Sequence, residues 1–139
     1  MSGILLDTNV ISELTKGTPA PPVVAFLSAR NDLWLSALVL HELEFGLRLL
    51  PHGRRRDALR GVLSGFIRRY EDRVLPVDEK AAVWAARFRA DARERGRMLD
   101  LGDALIAGTA KACDFSIATR NVADFDGLEV VVTNPWEFG

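Results

Sequence analysis

The sequence predicts a three-layer α/β/α domain with a mainly parallel central sheet. Short apolar runs of strand length alternate with longer segments of helical periodicity, which is typical of parallel strands joined by crossover helices. The short runs are apolar at consecutive positions, so both faces of the sheet are expected to be covered. The chain has 139 residues, with 48% hydrophobic and 27% charged residues, which fits a single globular domain over positions 1–139.

The first part of the chain is predicted to hold two buried strands and three helices. The first strand is an uninterrupted apolar run that ends at an acid, Asp7. A proline-rich segment at 17–22 separates the first two helices, since proline breaks one element and opens the next. Pro51 ends the third helix, which is amphipathic. The predicted strands are 3–6 and 33–37, and the predicted helices are 9–14, 23–29 and 39–50.

The second part of the chain continues the alternation of helices and strands. The helix predicted at 57–70 places its apolar residues on one face. Asp78 is a plausible N-cap for the next helix, and Gly96 marks its end. The remaining predicted helices are 79–95 and 103–113, and the remaining strands are 73–77, 115–119 and 129–133.

Four acids fall where these elements begin and end. Asp7 directly follows the first strand, and Glu42 lies one turn into the helix after the second strand. Asp103 begins the helix before the fourth strand, and Asp124 lies in the loop after that strand, three residues beyond Asn121. Ligands of open α/β sheets bind beyond the carboxyl ends of the strands, so these oxygen donors are expected to converge.

The chemistry of such a cluster points to a metal-dependent hydrolase. Clustered carboxylates repel one another, and a site with only oxygen ligands suits Mg²⁺ or Mn²⁺. Such ions lower the pKa of bound water and stabilise charge on a phosphate oxygen and on a leaving oxygen. The reaction that fits best is hydrolysis of a phosphodiester, with Asp7 and Asp103 as the expected metal ligands.

Each acid also has a purely structural interpretation. Asp7 can cap the helix that opens at Thr8, and Glu44 is a rival to Glu42. Residues two apart on a helix point about 200° apart, so only one of the two glutamates can face the site. Asp103 can simply favour the helix dipole, a role that Asp100 could take instead, and Asp124 can be a turn residue.

Basic residues are concentrated in the middle of the chain. Positions 54–97 hold 13 basic and seven acidic residues, a net charge of +6, and the rest of the chain carries −7. This distribution can separate a cation site from a phosphate-binding rim, although solvated arginine-rich helices would show it too. The candidates for contact with a nucleic acid are Arg54, Arg55, Arg56, Arg60, Arg68, Arg69 and Arg73.

Several other chemistries are excluded by composition. The single cysteine, Cys113, allows no internal disulfide and is interpreted as a packed core thiol. Only two histidines are present, and Phe45 stands where a zinc-protease helix beginning at His41 would need its second histidine. No apolar run is long enough to cross a membrane and no signal peptide is visible, so a cytoplasmic protein is expected. The tryptophans Trp34, Trp84 and Trp136 are interpreted as core residues.

The order of short motifs along the chain resembles that of PIN-domain nucleases. The resemblance is to the VapC toxins of type II toxin–antitoxin systems, particularly the FitB-like subgroup, and spans essentially the whole chain. Each motif is weak alone, but their shared order is specific. The motifs are ILLDTNVISE at 4–13, LSA at 35–37, HEL at 41–43, GDALIA at 102–107, ATRNVADF at 118–125 and NPW at 134–136.

The resemblance implies a PIN-like fold and a Mg²⁺- or Mn²⁺-dependent endoribonuclease, inhibited by a cognate VapB-like antitoxin. It also implies a homodimer. By this resemblance the first three acids of the family fall on Asp7, Glu42 and Asp103. The fourth acid falls on Asp124 or at the position of Asn121, and Asp124 is preferred. Supporting polar roles fall on Asn9 and Thr119.

Two other functions stay open at the level of sequence. A catalytically degenerate PIN domain would act as an RNA- or protein-binding module, but such a module would not need the four acids. A DNA-directed nuclease of the same fold would need them, and contacts to the ribose 2′-hydroxyl, which separate RNA from DNA, depend on geometry.

Overall fold

The computed structural model describes residues 2–139 and contains, within them, a five-stranded sheet and six α-helices. Every strand pair is parallel, and the strand order is β3-β2-β1-β4-β5, which confirms the predicted parallel α/β class. The strands are β1 (Ile4–Leu6), β2 (Leu33–Ser36), β3 (Val74–Leu75), β4 (Ser116–Ala118) and β5 (Val132–Thr133). The helices are α1 (Thr8–Ser12), α2 (Pro21–Ala29), α3 (Ala37–Leu49), α4 (Arg54–Arg68), α5 (Glu79–Glu94) and α6 (Leu101–Cys113).

The central strand β1 is buried along its whole length, and so are most residues of its neighbours. Leu5, Leu6, Leu35 and Ile117 are fully inaccessible to solvent, as expected for strands covered on both faces. The winding reverses at β1, because the chain moves from β1 to β2 on one side while β4 lies on the other. A reversal of this kind opens a crevice at the carboxyl edge, between the ends of β1 and β4.

The register of β1 and β4 determines which side chains enter that crevice. Leu6 is paired with Ala118, and the Asp7 backbone N–H donates to the Ala118 carbonyl at 2.9 Å. Asp7 and Thr119 therefore leave the sheet side by side, although 112 positions separate them in sequence.

Helix α6 is held against α5 by a face of small residues. A Cβ at Gly108 would collide with the Ala81 carbonyl oxygen and lie 2.9 Å from the Ala85 backbone nitrogen, so only glycine permits this approach. Ala104 and Ala107 on the same helix are fully buried. This close packing fixes the helix whose first turn carries Asp103.

Several element boundaries differ from the sequence predictions. Helix α4 begins at Arg54, three residues before the predicted start, after Gly53 with φ +154°. Arginines in a first turn oppose the helix dipole, so the sequence pattern disfavoured this start. Helix α6 begins at Leu101 because Asp100 caps it, its Oδ2 accepting from the Gly102 N–H at 3.0 Å. Strand β5 is two residues long, shorter than the predicted 129–133.

Short 3₁₀ helices lie at Glu13–Thr15, Val122–Phe125 and Pro135–Glu137. No helix in residues 2–139 is both long enough and apolar enough to span a bilayer.

Candidate active site

Asp7 lies at the end of β1 with 6% of its surface exposed, and its carboxylate is held on both oxygens. Its Oδ1 accepts from the Thr8 backbone N–H at 2.8 Å, so the helix-capping role is real. Its Oδ2 accepts from the Thr119 hydroxyl at 2.8 Å and from the Asn9 amide at 3.3 Å. Burial raises the pKa of Asp7, and the hydrogen bonds from Thr119 and Thr8 partly oppose that rise.

Asn9 and Thr119 form the polar support that fixes the orientation of Asp7. The Asn9 amide also donates to the Thr119 hydroxyl oxygen at 3.2 Å, and the Asn121 backbone N–H donates to the same oxygen at 3.1 Å. Asn9 and Thr119, which lie on different segments, therefore hold each other's side chains in place. The structure places both residues beside the first acid, where their proposed supporting roles require them.

Glu42 reaches the same place from α3. Its Oε1 accepts from the Thr8 hydroxyl at 2.8 Å, and its Oε2 lies 3.7 Å from the position that a Cβ would take on Gly102. Glu42 therefore lies between the first turn of α1 and the first turn of α6. Sequence reasoning missed Thr8, since no local pattern reveals a bond between residues 34 positions apart.

Asp103 lies in the first turn of α6, half-buried and surrounded by other acids. Burial, followed by the charges of Asp7, Asp124, Asp100 and Glu42, raises the pKa of Asp103 to about 6. No hydrogen bond stabilises its charged form within residues 2–139. An ionised carboxylate in this environment lowers the stability of the folded chain unless a cation neutralises it.

Asp124 contributes the fourth negative charge of the cluster. Its charge raises the pKa of both Asp7 and Asp103, so the 3₁₀ helix Val122–Phe125 brings it close to them. Asn121, the rival candidate, precedes this helix and contacts Thr119 through its backbone. Of the two candidates, Asp124 is the one that adds charge to the site.

An arginine pair from another segment fixes the loop that carries Asp124. Arg97 donates to the Asp126 carbonyl at 2.7 Å and to the Ala123 carbonyl at 3.2 Å, on either side of Asp124. Arg95 lies 3.5 Å from the Gly127 carbonyl. Neither arginine was among the sequence-based candidates, because a basic residue that binds backbone carbonyls leaves no recognisable motif.

Within residues 2–139 the acid cluster contains no protein cation. In the described part of the chain, no lysine or arginine forms an ion pair with Asp7, Glu42, Asp103 or Asp124. No three Asp, Glu, His or Cys side chains of residues 2–139 are arranged closely enough to hold a metal ion by themselves. An ion in this crevice would therefore take part of its coordination from water or substrate, as Mg²⁺ usually does.

Glu44 lies outside this cluster, on the opposite face of α3. Its carboxylate accepts from Arg60 at 2.8 and 3.0 Å and from Arg48 at 2.7 Å. These arginines lower the pKa of Glu44 to about 2. Glu44 is therefore a suitable control for substitutions at Glu42 and the other acids.

The arginines proposed to contact RNA differ in their availability. Arg60 is paired with Glu44, and Arg56 lies 3.2 Å from a ring nitrogen of His52. Arg73 donates to the Asn31 carbonyl, which precedes β2 and so lies at the amino edge, away from the acids. The four exposed candidates, at the two ends of α4, are Arg54, Arg55, Arg68 and Arg69.

Comparison with known proteins identifies the fold family. The family profile described as "PIN domain" matches residues 4–128. The chain belongs to the PIN-domain family. This PIN domain is 40% identical over 137 residues to a protein named VapC ribonuclease Y4jK of Sinorhizobium fredii, covering 96% of this chain and 98% of the relative. It is 38% identical over 136 residues to the toxin FitB of Neisseria gonorrhoeae, with 96% and 98% covered.

Solved structures share the architecture over nearly the whole chain. The structure of FitAB bound to a DNA fragment superposes on this PIN domain with a TM-score of 0.90 at 36% identity, covering 98% of this chain and 97% of that one. The resemblance noted from the motifs is thereby confirmed at the level of family and fold.

Proposed function

We propose that this PIN domain is the toxin of a type II toxin–antitoxin pair and acts as a metal-dependent endoribonuclease. The observation that carries the proposal is the group of four acids at the β1–β4 crevice, with no protein cation among them in residues 2–139. The names of the relatives, a VapC ribonuclease and a toxin, support RNA as the substrate. A binding module without catalysis would have no use for four mutually repelling acids.

The donor set at the crevice fits Mg²⁺ or Mn²⁺. Every side chain of the cluster offers carboxylate oxygen, which is the ligand type that these ions prefer. The Asp103 carboxylate accepts no hydrogen bond within residues 2–139, so its oxygens are available. Asp7 and Asp103 would hold the ion directly or through water.

The roles of the residues follow from their surroundings. When bound, the ion would supply an acidified water and neutralise charge on the phosphate. Asn9 and Thr119 keep the Asp7 carboxylate in one orientation. Glu42, held by Thr8, would orient the attacking water or hold a second ion. No step requires a histidine base.

This mechanism predicts the chemistry of the RNA ends. Water attacks phosphorus and the 3′-oxygen leaves, which yields a 5′-phosphate and a 3′-hydroxyl. We expect purified protein with Mg²⁺ to produce these ends from single-stranded RNA, and chelation of the ion to stop cleavage. Mapping of the ends by ligation and phosphatase treatment checks the prediction. A 2′,3′-cyclic phosphate would contradict it, and preferential cleavage of DNA would support a DNA-directed nuclease instead.

A small antitoxin is the expected partner of the acid crevice in the cytoplasm. An arginine or lysine from its tail can pair with these carboxylates and take the place of the ion. We expect a VapB-like protein to co-purify with the chain and to abolish cleavage, and a substitution of that basic residue by alanine to restore cleavage. Unchanged inhibition would contradict the site-blocking model. Light scattering of the chain alone tests the homodimer implied by the family.

A further inference from the structure

We propose that Arg120 holds a phosphate of the RNA strand at the edge of the acid site, and that Trp136 keeps its guanidinium in place. The inference rests on the proposed ribonuclease function and deepens it. A pocket with four acids repels a phosphodiester, so a cation beside it is needed to hold the flanking strand. None of the arginines proposed from the sequence has a contact that places it there.

The backbone of Arg120 is tied to the site itself. Arg120 directly follows Thr119, whose hydroxyl donates to Asp7. The Arg120 N–H donates to Asn9 Oδ1 at 3.2 Å, while the amide group of the same asparagine contacts Asp7. The backbone of Arg120 is therefore one residue away from Thr119, whose side chain orients Asp7.

The guanidinium of Arg120 lies over the indole ring of Trp136, 5.0 Å from its centroid. The backbone of Trp136 is itself held, since its backbone N–H donates to Asn134 Oδ1 at 3.0 Å. The neighbouring Phe138 packs edge-on against Phe26 of α2, with ring centroids 5.5 Å apart. The NPW motif therefore builds a fixed aromatic surface at the carboxyl edge of the sheet, after β5.

Stacking leaves the N–H groups of Arg120 free to bind a ligand. Within residues 2–139 Arg120 hydrogen-bonds only through its backbone N–H. Arg30, Arg73 and Arg87 also lie over aromatic rings, but Arg30 donates to Asp32 and Arg73 to a backbone carbonyl. Arg87 lies over Trp84 of α5, beside Lys111 near the end of α6 opposite to Asp103, and so is away from the acid site. A stacked guanidinium keeps its planar edge available, and that edge matches two oxygens of a phosphate.

Glu13, the acid whose pKa is affected by the charge of Arg120, does not neutralise Arg120. The carboxylate of Glu13 binds Lys16 at 2.8 Å and the Ala20 N–H at 2.8 Å. The hydrogen bond from Lys16 is the main reason that the pKa of Glu13 is lowered, and Arg120 acts on it only through its charge. Both oxygens of Glu13 are occupied, so the positive charge of Arg120 stays available to RNA.

The test measures binding of a short fluorescein-labelled single-stranded RNA by anisotropy, with every variant made on an Asp7→Asn background to prevent cleavage. We expect Arg120→Ala to weaken binding about tenfold and to lower the salt dependence by about 0.7, the contribution of one phosphate contact on a single strand. Arg120→Lys should keep the salt dependence with a smaller loss of affinity. Trp136→Leu should weaken binding with the salt dependence unchanged, and Trp136→Phe should restore it.

Arg87→Ala is the matched control, because it removes an exposed arginine that lies over Trp84 of α5, beside Lys111 near the end of α6 opposite to Asp103. It should leave both affinity and salt dependence as they were. The inference would be overturned if Arg120→Ala kept the original salt dependence of RNA binding, or if it weakened binding of the antitoxin but not of RNA. If the wild-type chain still cleaves RNA when one of these results is found, the proposed function survives and only the role of Arg120 fails.

Discussion

Asp7→Asn is expected to reduce metal-dependent RNA cleavage by more than about 100-fold. Loss of a residue that merely supports a metal ligand costs up to about 100-fold, and loss of a ligand itself should cost more. Asparagine has nearly the same shape as aspartate but lacks the charge that would hold the ion. Its amide oxygen can still accept from Thr119 and Asn9, the partners of Asp7 Oδ2. Cleavage of labelled RNA with Mg²⁺ measures the loss, and the melting temperature checks that the chain folds.

Glu44→Gln provides the control for Asp7→Asn. Glu44 binds Arg48 and Arg60 and takes no part in the acid cluster, so its replacement should leave the cleavage rate close to that of the wild type. Wild-type cleavage by a folded Asp7→Asn protein would show that the acids are misassigned.

Asp103→Asn is expected to abolish cleavage and to make the metal-free protein more stable. The substitution removes one of four crowded negative charges and the burial of an ionised carboxylate. Asp103 is partly exposed and screened by solvent, so we expect a gain on the order of 1 kcal/mol, or about 3–6 °C in melting temperature. Thermal unfolding with and without Mg²⁺ measures both effects, and the ion should stabilise only the wild type.

The pH dependence of that gain has a definite sign. Folding raises the pKa of Asp103 from 3.8 to about 6, so the folded chain binds this proton more tightly than the unfolded chain. The destabilisation is therefore fully present above pH about 6 and disappears as the pH falls below about 4. The advantage of Asp103→Asn should shrink over that range. An equal gain at both ends would contradict the electrostatic explanation.

The sequence predicted the parts of the site that depend on strand ends. Asp7 could be found because a buried apolar run stops at an acid, and the carboxyl edge of a parallel sheet is a general binding place. The sequence placed Asp103 at the first position of its helix. The structure places it in the first turn instead, because Asp100 is the N-cap and the helix begins at Leu101. Helical geometry predicted that only one of Glu42 and Glu44 faces the site, and the family resemblance favoured Glu42. The structure places Glu42 against Thr8 and Glu44 against arginines.

Contacts between distant segments could not be predicted from the sequence. The carbonyls that Arg97 binds, and the ring that Arg120 covers, are brought close only by the completed sheet. The pairing of Arg60 with Glu44 likewise joins α3 to α4. A count of arginines could indicate a basic region, but it could not separate the paired arginines from the free ones.

Direct titration of Mn²⁺, followed by electron paramagnetic resonance, tests the central assignment without depending on the choice of RNA. The wild-type chain and Glu44→Gln should bind the ion, while Asp7→Asn and Asp103→Asn should lose most of that affinity. Equal Mn²⁺ binding by all four proteins would contradict a metal site at the β1–β4 crevice.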